Sequence, residues 1–182
     1  KMIGNDAKVI IEIGGHYGED TLRFHKYFPD CKIYSFEPDP RNIEIIKKIT
    51  SNVENIEVIE MGVSDIEDTC VFFQSTSSES KIQKKYSFID KNDYDKYNLS
   101  GSGASSFCKS IDNSIDVQSQ TNVETTRLDN WALKREIGTI DFIWIDVQGH
   151  ERNVINGMSK ILKNVRFIQM EYGELSYQGA MT

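Results

Sequence analysis

Val9-Ile10-Ile11-Glu12-Ile13-Gly14-Gly15-His16-Tyr17-Gly18 runs from a β-branched apolar segment, through one acidic residue, into a glycine-rich turn. Behind the turn, Tyr17, Thr21, Phe24 and Phe28 recur at helical spacing until Pro29 stops the pattern. Strand, tight turn and amphipathic helix in this order are the unit with which an α/β domain opens a nucleotide-sized pocket at the carboxyl end of its first strand. Because Val9 to Ile13 is apolar except at Glu12, the strand is expected to be buried on both faces.

The unit repeats. Lys32-Ile33-Tyr34-Ser35-Phe36 reads as a second strand ended by Glu37-Pro38-Asp39-Pro40, and Ile43, Ile46 and Ile49 mark one face of a second helix. Asn55 to Met61 reads as a third strand, and Thr69 to Phe73 as a further one in a hairpin with it. From Gln74 to Thr125 the chain turns polar, rich in Ser, Lys, Asp and Asn. A structureless stretch of that length is uncommon inside a compact domain, so an insertion or lid with some local structure is expected there, against a plain surface loop. Order returns at Ile140 to Asp146, the most apolar strand, followed by a helix carrying Val154, Ile155, Met158, Ile161 and Leu162, and by a strand over Val165 to Glu171. Alternating strands and helices predict an α/β fold with a mostly parallel sheet, right-handed crossovers and helices on both faces. One domain is expected over residues 1–182, with an insertion at about 74–125 between the third and fourth core strands.

Composition narrows the function. The 182 residues carry 21 Lys and Arg against 28 Asp and Glu, a net charge of −7. That balance argues against a general nucleic-acid or anionic-membrane binder. No apolar run approaches a membrane span, and the polar Lys1-Met2-Ile3-Gly4-Asn5-Asp6 is not a signal peptide. Cys31, Cys70 and Cys108 are sparse and odd in number, without metal-ligand spacing, so a reducing cytoplasmic setting is expected.

Three strand ends carry candidate chemistry. The glycines at positions 14, 15 and 18 fit neither the Gly-x-Gly-x-x-Gly dinucleotide fingerprint nor a Walker loop. Taken alone, the loop also reads as a tight turn without ligand. Glu37 lies 23 positions after Gly14 at the end of the second strand, where an acidic side chain can bind both hydroxyls of a ribose. Asp146 ends the most apolar strand, with His150 and Glu151 at the start of the next helix. A carboxylate and an imidazole at this edge are candidate general bases or metal ligands.

These residues, with Gly62-Val63-Ser64-Asp65, Gly103-Ala104-Ser105-Ser106-Phe107 and Thr125-Thr126-Arg127-Leu128-Asp129, give the chain its resemblance to the FkbM family of S-adenosylmethionine-dependent methyltransferases. The resemblance runs from about Val9 to Tyr172, and Ile145-Asp146-Val147-Gln148-Gly149-His150-Glu151 is its most specific mark. It implies a Rossmann-like class I methyltransferase fold. Glu12 and the backbone from Gly14 and Gly15 through His16 to Gly18 would hold the methionine part of the cofactor. Glu37, followed by Pro38, would hold the ribose, and the backbone near Val63 and Ser64 would border the adenine. Asp146 would sit near the sulfonium and the acceptor, and the insertion would carry Ser105 and Ser106 back towards the pocket. Glu12 and His16 stand where the family usually shows Asp and Asn, and Gln148 replaces the usual Glu, which removes a carboxylate from any metal site built on this motif. The chain also stops soon after the fifth core strand, where such folds usually add a final hairpin.

The expected reaction is methyl transfer from S-adenosylmethionine to a hydroxyl of a sugar or other small-molecule acceptor, with His150 or Asp146 removing the proton. Asp146 could instead help hold a divalent cation, lowering the pKa of a coordinated hydroxyl. Two further readings compete. A nicotinamide-dependent oxidoreductase fits Glu37 but not the glycine spacing, and no Tyr-x-x-x-Lys constellation supports it: Tyr94 to Lys96 and Lys84 to Tyr86 are wrongly spaced. A non-catalytic or regulatory domain of a larger protein fits the altered positions 16 and 148.

Overall fold

The computed structural model describes residues 3–4, 6–76, 88–99, 101–111, 119–171 and 176–180. Five parallel strands form the central sheet: β1 (Val9–Ile13), β2 (Lys32–Phe36), β3 (Ile56–Ile59), β7 (Ile140–Ile145) and β8 (Val165–Met170), in the spatial order β3-β2-β1-β7-β8. Helices α1 (Glu19–Tyr27) and α2 (Pro40–Thr50) link the first three strands, and α5 (Glu151–Gly157) links β7 to β8. The expected α/β architecture with a mostly parallel sheet is therefore present. The chain first builds outward from β1 to β3, then returns to place β7 on the other side of β1. That reversal is a topological switch point, the place where open α/β sheets hold ligands.

Both faces of the sheet are covered, which is why the central strands are largely apolar. Ile10, Ile33 and Phe142 pack on one face with Phe24 and Phe28 from the α1 side, Phe24 meeting Phe142 edge-on at 5.6 Å. Ile11, Ile13, Phe36, Ile143 and Ile145 pack on the other with Leu128, Trp131, Val154 and Met158. Trp131 lies on α4 (Leu128–Lys134) and sits edge-on to both Tyr34 and Phe36, at 4.9 Å each. Fully burying an isoleucine contributes about 1.5–3 kcal/mol, so the alternation within β1 holds both helical layers.

The register brings the strand ends level. Ile13 pairs with Phe36 on one side and with Ile145 on the other. The residues that follow, Gly14, Glu37 and Asp146, therefore leave the sheet at one edge.

Outside the central sheet the structure differs from the sequence reading in several places. The third strand is shorter than expected: it ends at Ile59, and Met61 N–H turns back to the Ile59 carbonyl at 2.8 Å. The short β4 (Gly62–Val63) follows. β5 (Thr69–Gln74) does not form a hairpin with β3; it pairs antiparallel with β6 (Ser119–Thr126), which also pairs parallel with β4. Ser-Gln-Thr-Asn-Val-Glu-Thr-Thr has little apolar signal, and only Val123, Thr125 and Thr126 are buried, so the strand is hidden within a polar stretch. The rest of the insertion contains α3 (Lys91–Lys96) and a 3-10 turn at Ser102–Ala104; its residues 77–87, 100 and 112–118 lie outside the described residues. Tyr17 precedes α1 rather than lying within it. α5 ends at Gly157, short of Ile161 and Leu162, because the Asp129 carboxylate accepts the N–H groups of Lys160 (2.9 Å) and Ile161 (3.1 Å) and stabilises a separate turn. No helix among the described residues is long and apolar enough to cross a membrane.

Candidate active site

The glycine loop is shaped by close contact inside the protein. Gly14 has φ +93°, and a Cβ placed on it would lie 1.9 Å from the Asp146 carbonyl oxygen. The N–H groups of Gly14 and Gly15 both donate to the Phe36 carbonyl at 2.9 Å, while Asp146 N–H donates to the Ile13 carbonyl at 3.0 Å. The ends of β1, β2 and β7 are thus tied together by main chain. Gly18 precedes α1 and packs on Ile46 and Ile49 of α2.

A cavity of about 570 Å³ opens above this edge. Glu12, Gly14, Gly15, His16, Glu37, Pro38, Val63 and Asp146 all line it, so most of the residues singled out in the sequence meet in one place. Gly18, Ser64 and His150 are not among its lining residues. Met61, Phe72, Phe107, Asn42, Trp144 and Glu171 also line the cavity and are not among the expected site residues. Glu171 directly follows the end of β8, and Asn42 lies in the first turn of α2 after β2; position relative to a strand end is the signal that could have found them.

Glu37 is buried and holds the loop together. Its Oε2 accepts His16 N–H at 2.7 Å; its Oε1 accepts Asp39 N–H at 2.8 Å and Asn42 Nδ2 at 3.3 Å. Burial pushes this carboxyl up to about 8, with Asp39 adding to the rise and the three donors opposing it. A carboxylate offers about four acceptor positions, so this bonding leaves room for a further donor from the cavity. Glu12 is as deeply buried: Ser35 Oγ donates to its Oε2 at 2.5 Å, as does Thr21 Oγ1, and burial pushes it up to about 8.

Asp146 and His150 part company. Asp146 accepts Gln148 Nε2 at 2.6 Å, and burial raises its pKa, with Glu171 and Glu151 adding to the rise. His150 turns back into the protein, only 8 % exposed. Its ring lies 4.8 Å from that of Phe107, and its Nε2 is 3.0 Å from Ser64 Oγ. Ser64 Oγ donates to Asp65 Oδ1 at 3.1 Å, which makes the imidazole Nε2 the donor in this chain of bonds. Burial pushes His150 down to about 4, so the ring is neutral near pH 7.

The insertion folds over the cavity, with Ser102, Gly103, Ser105 and Phe107 among its lining residues. Tyr17 Oη donates to the Leu99 carbonyl at 2.6 Å and lies 2.5 Å from Ser102 Oγ. His16, in the left-handed region at φ +49°, sets Nε2 3.3 Å from the same hydroxyl and Nδ1 3.1 Å from Glu19 Oε1. Arg41 pairs with the fully buried Asp39 at 2.6 Å and donates to the carbonyls of Ser75 (3.1 Å) and Asn98 (3.2 Å) and to Ser105 Oγ (3.1 Å). Ser106 does not line the cavity; its Oγ donates to the Gln148 carbonyl at 2.8 Å. Among the described residues, no group of three or more His, Cys, Asp and Glu side chains is arranged to hold a metal ion.

The comparisons with known proteins agree with this architecture. The model of the methyltransferase FkbM domain matches residues 12–182. The chain is 30% identical over 180 residues to the 2-O-methyltransferase NoeI of Sinorhizobium fredii, covering 95% of this chain and 67% of that protein. A parallel sheet with its switch point at β1 and β7, a glycine loop beside two strand-end carboxylates, and a family match over nearly the whole length lead to one conclusion: the chain belongs to the FkbM methyltransferase domain family.

Proposed function

We propose that this chain transfers a methyl group from S-adenosylmethionine to a hydroxyl oxygen of a sugar or small natural product. The observation that carries the reading is the cavity in which Glu37, at the end of β2, and Asp146, at the end of β7, flank the glycine loop. The donor set suits such a cofactor. Glu37 retains acceptor capacity, and the neighbouring Asn42 Oδ1 is buried without a hydrogen-bond partner among the described residues, so two acceptors await hydroxyl or amino donors. When bound, S-adenosylmethionine supplies a methyl group already activated by a positively charged sulfur.

In this reading Glu37 and Asn42 hold the ribose, Val63 and Met61 border the base, and Glu12 with the loop from Gly14 to His16 takes the amino-acid end. Asp146 faces the acceptor and accepts its proton as the oxygen attacks. Burial raises the basicity of this carboxyl, which suits the task. His150, packed behind Phe107, supports the wall of the cavity instead. The similarity to a 2-O-methyltransferase supports oxygen as the accepting atom.

Calorimetry with S-adenosylhomocysteine tests the cofactor directly. Binding is expected, and above about pH 8, where the Glu37 carboxyl is ionised, Glu37→Ala is expected to weaken it by about 1.5–3 kcal/mol, the range for a lost hydrogen bond to a charged group. Thermal unfolding of the variant separates lost ligand contact from a lost fold. Tight NAD binding with no S-adenosylhomocysteine binding would overturn the reading.

A further inference from the structure

We infer that Gln148 and Tyr177 form a hydrogen-bonded relay that sets the orientation of Asp146, making Tyr177 a positioning residue of the site. The proposal rests on the reading of Asp146 as the carboxylate that faces the acceptor. Gln148 Nε2 donates to Asp146 Oδ1 at 2.6 Å, and the other end of the same amide, Oε1, lies 3.3 Å from Tyr177 Oη. That phenol is also 2.9 Å from the Ala104 carbonyl, at the end of the 3-10 turn of the insertion. The ring is only 6 % exposed. The phenol has one proton, shared between the Ala104 carbonyl and Gln148 Oε1; this shared donor favours the amide oxygen facing Tyr177 and so the amide nitrogen on Asp146.

The turn carrying Gln148 is held in a demanding conformation. Gln148 has φ +52°, in the left-handed region that a residue with a side chain rarely adopts. Gly149 follows at φ +97°, where a Cβ would meet Tyr177 Cβ at 2.7 Å. From the opposite side, Ser106 Oγ donates to the Gln148 carbonyl. The segment around Tyr177 is fixed in turn by pairing with the insertion: Ile111 N–H donates to the Ser176 carbonyl (2.8 Å) and Gln178 N–H to the Lys109 carbonyl (2.9 Å). Strain of this kind persists only where the surroundings over-determine it. A glutamate at position 148, the residue expected from the family resemblance, would set a second acceptor against Asp146, whereas glutamine supplies a donor.

The charged groups acting on Asp146 come from every element around it: Glu171 after β8, His16 on the glycine loop and Glu151 at the start of α5. None of them changes in the following test. The full-length chain is labelled with 13C-aspartate and the Asp146 carboxyl is titrated by NMR, the signal being assigned by its loss in Asp146→Asn. Gln148→Met is expected to raise the titration midpoint by about one pH unit, since a donor to the charged form is lost. Tyr177→Phe, which keeps the ring, is expected to raise it by about half as much. The double variant should match Gln148→Met alone, because one effect passes through the other. An unmoved Asp146 titration in Tyr177→Phe, even with a lowered melting temperature, would overturn the relay, as would shifts that simply add. If Tyr177→Phe does not fold, Gln148→Glu serves in its place: it must raise the Asp146 midpoint above that of Gln148→Met, and a lower one overturns the proposal. Absence of S-adenosylhomocysteine binding would sink the function proposed above while leaving these titrations as they are.

Discussion

Replacing Gly14 by alanine probes the join between β1 and β7 that builds the site. Two costs can be read from the geometry. Alanine at φ +93° pays about 1–2 kcal/mol for the left-handed backbone. The new Cβ would also stand 1.9 Å from the Asp146 carbonyl oxygen and 3.0 Å from its carbon, so the two strand ends must separate by more than an ångström. Separation strains the Asp146 N–H bond to Ile13, worth about 1 kcal/mol, and adds overpacking of about 1–3 kcal/mol. The total, about 3–6 kcal/mol, is a large share of the stability of an ordinary domain. Gly138→Ala is the control: among the described residues nothing lies within 4 Å of its would-be Cβ, so a change of less than about 0.5 kcal/mol or a slight stabilisation is expected. Urea unfolding followed by the fluorescence of Trp131 and Trp144 reads both variants, Trp144 lying on β7 itself. A Gly14→Ala midpoint within the error of wild type, at equal slope, would refute the argument that this glycine is required by contact.

Two other expectations follow from burial. Glu12 and Glu37 titrate near 4.5 when unfolded and near 8 in the ligand-free fold, so the native state holds more protons between those values. Stability of the ligand-free protein should therefore fall as pH rises from about 4.5 to 8, and Glu12→Gln should flatten the fall; urea midpoints at several pH values check the sign. Arg41→Ala leaves Asp39 as an uncompensated buried charge and releases the carbonyls of Ser75 and Asn98, a loss of about 3–5 kcal/mol. Unfolding curves together with limited proteolysis around residues 98–105 measure it, and wild-type resistance of that segment would contradict the anchoring role.

The parts of the fold legible in the sequence are those specified by apolar side chains. β1, β2 and β7 announce themselves because each is buried by isoleucine, valine and aromatic residues, and the half-exposed edge strand β8 does so through Val165, Phe167 and Ile168. The strand-end acids were equally visible, since a strand that stops fixes where the next side chain stands. β6 was not visible: threonine, asparagine and glutamine pair through their main chain without an apolar stripe. The two ends of the Asp146 motif show a different gap. Spacing locates both Asp146 and His150 at the sheet edge, but the packing of Phe107 against the imidazole and the bond of its Nε2 to Ser64 hold His150 away from the cavity. Phe107 itself sits in a segment whose course depends on contacts distant in sequence, such as the bridge between Ser106 and Phe73. Gly14 and Gly18 make room for other parts of the chain, the Asp146 carbonyl and the side chains of Ile46 and Ile49.

The way the insertion is fastened bears on how such a site can diversify. Arg41 grips the carbonyls of Ser75 and Asn98, Tyr17 that of Leu99, and Tyr177 that of Ala104. These grips recognise main-chain oxygen, which every residue carries. The cavity is lined by other positions of the insertion, such as Phe88 and Gly103, so the surface presented to it can change by exchange there without loosening the grip. Attachment and selectivity are thus encoded in different atoms, and a lineage can explore new acceptors by point substitution while its cover remains fastened.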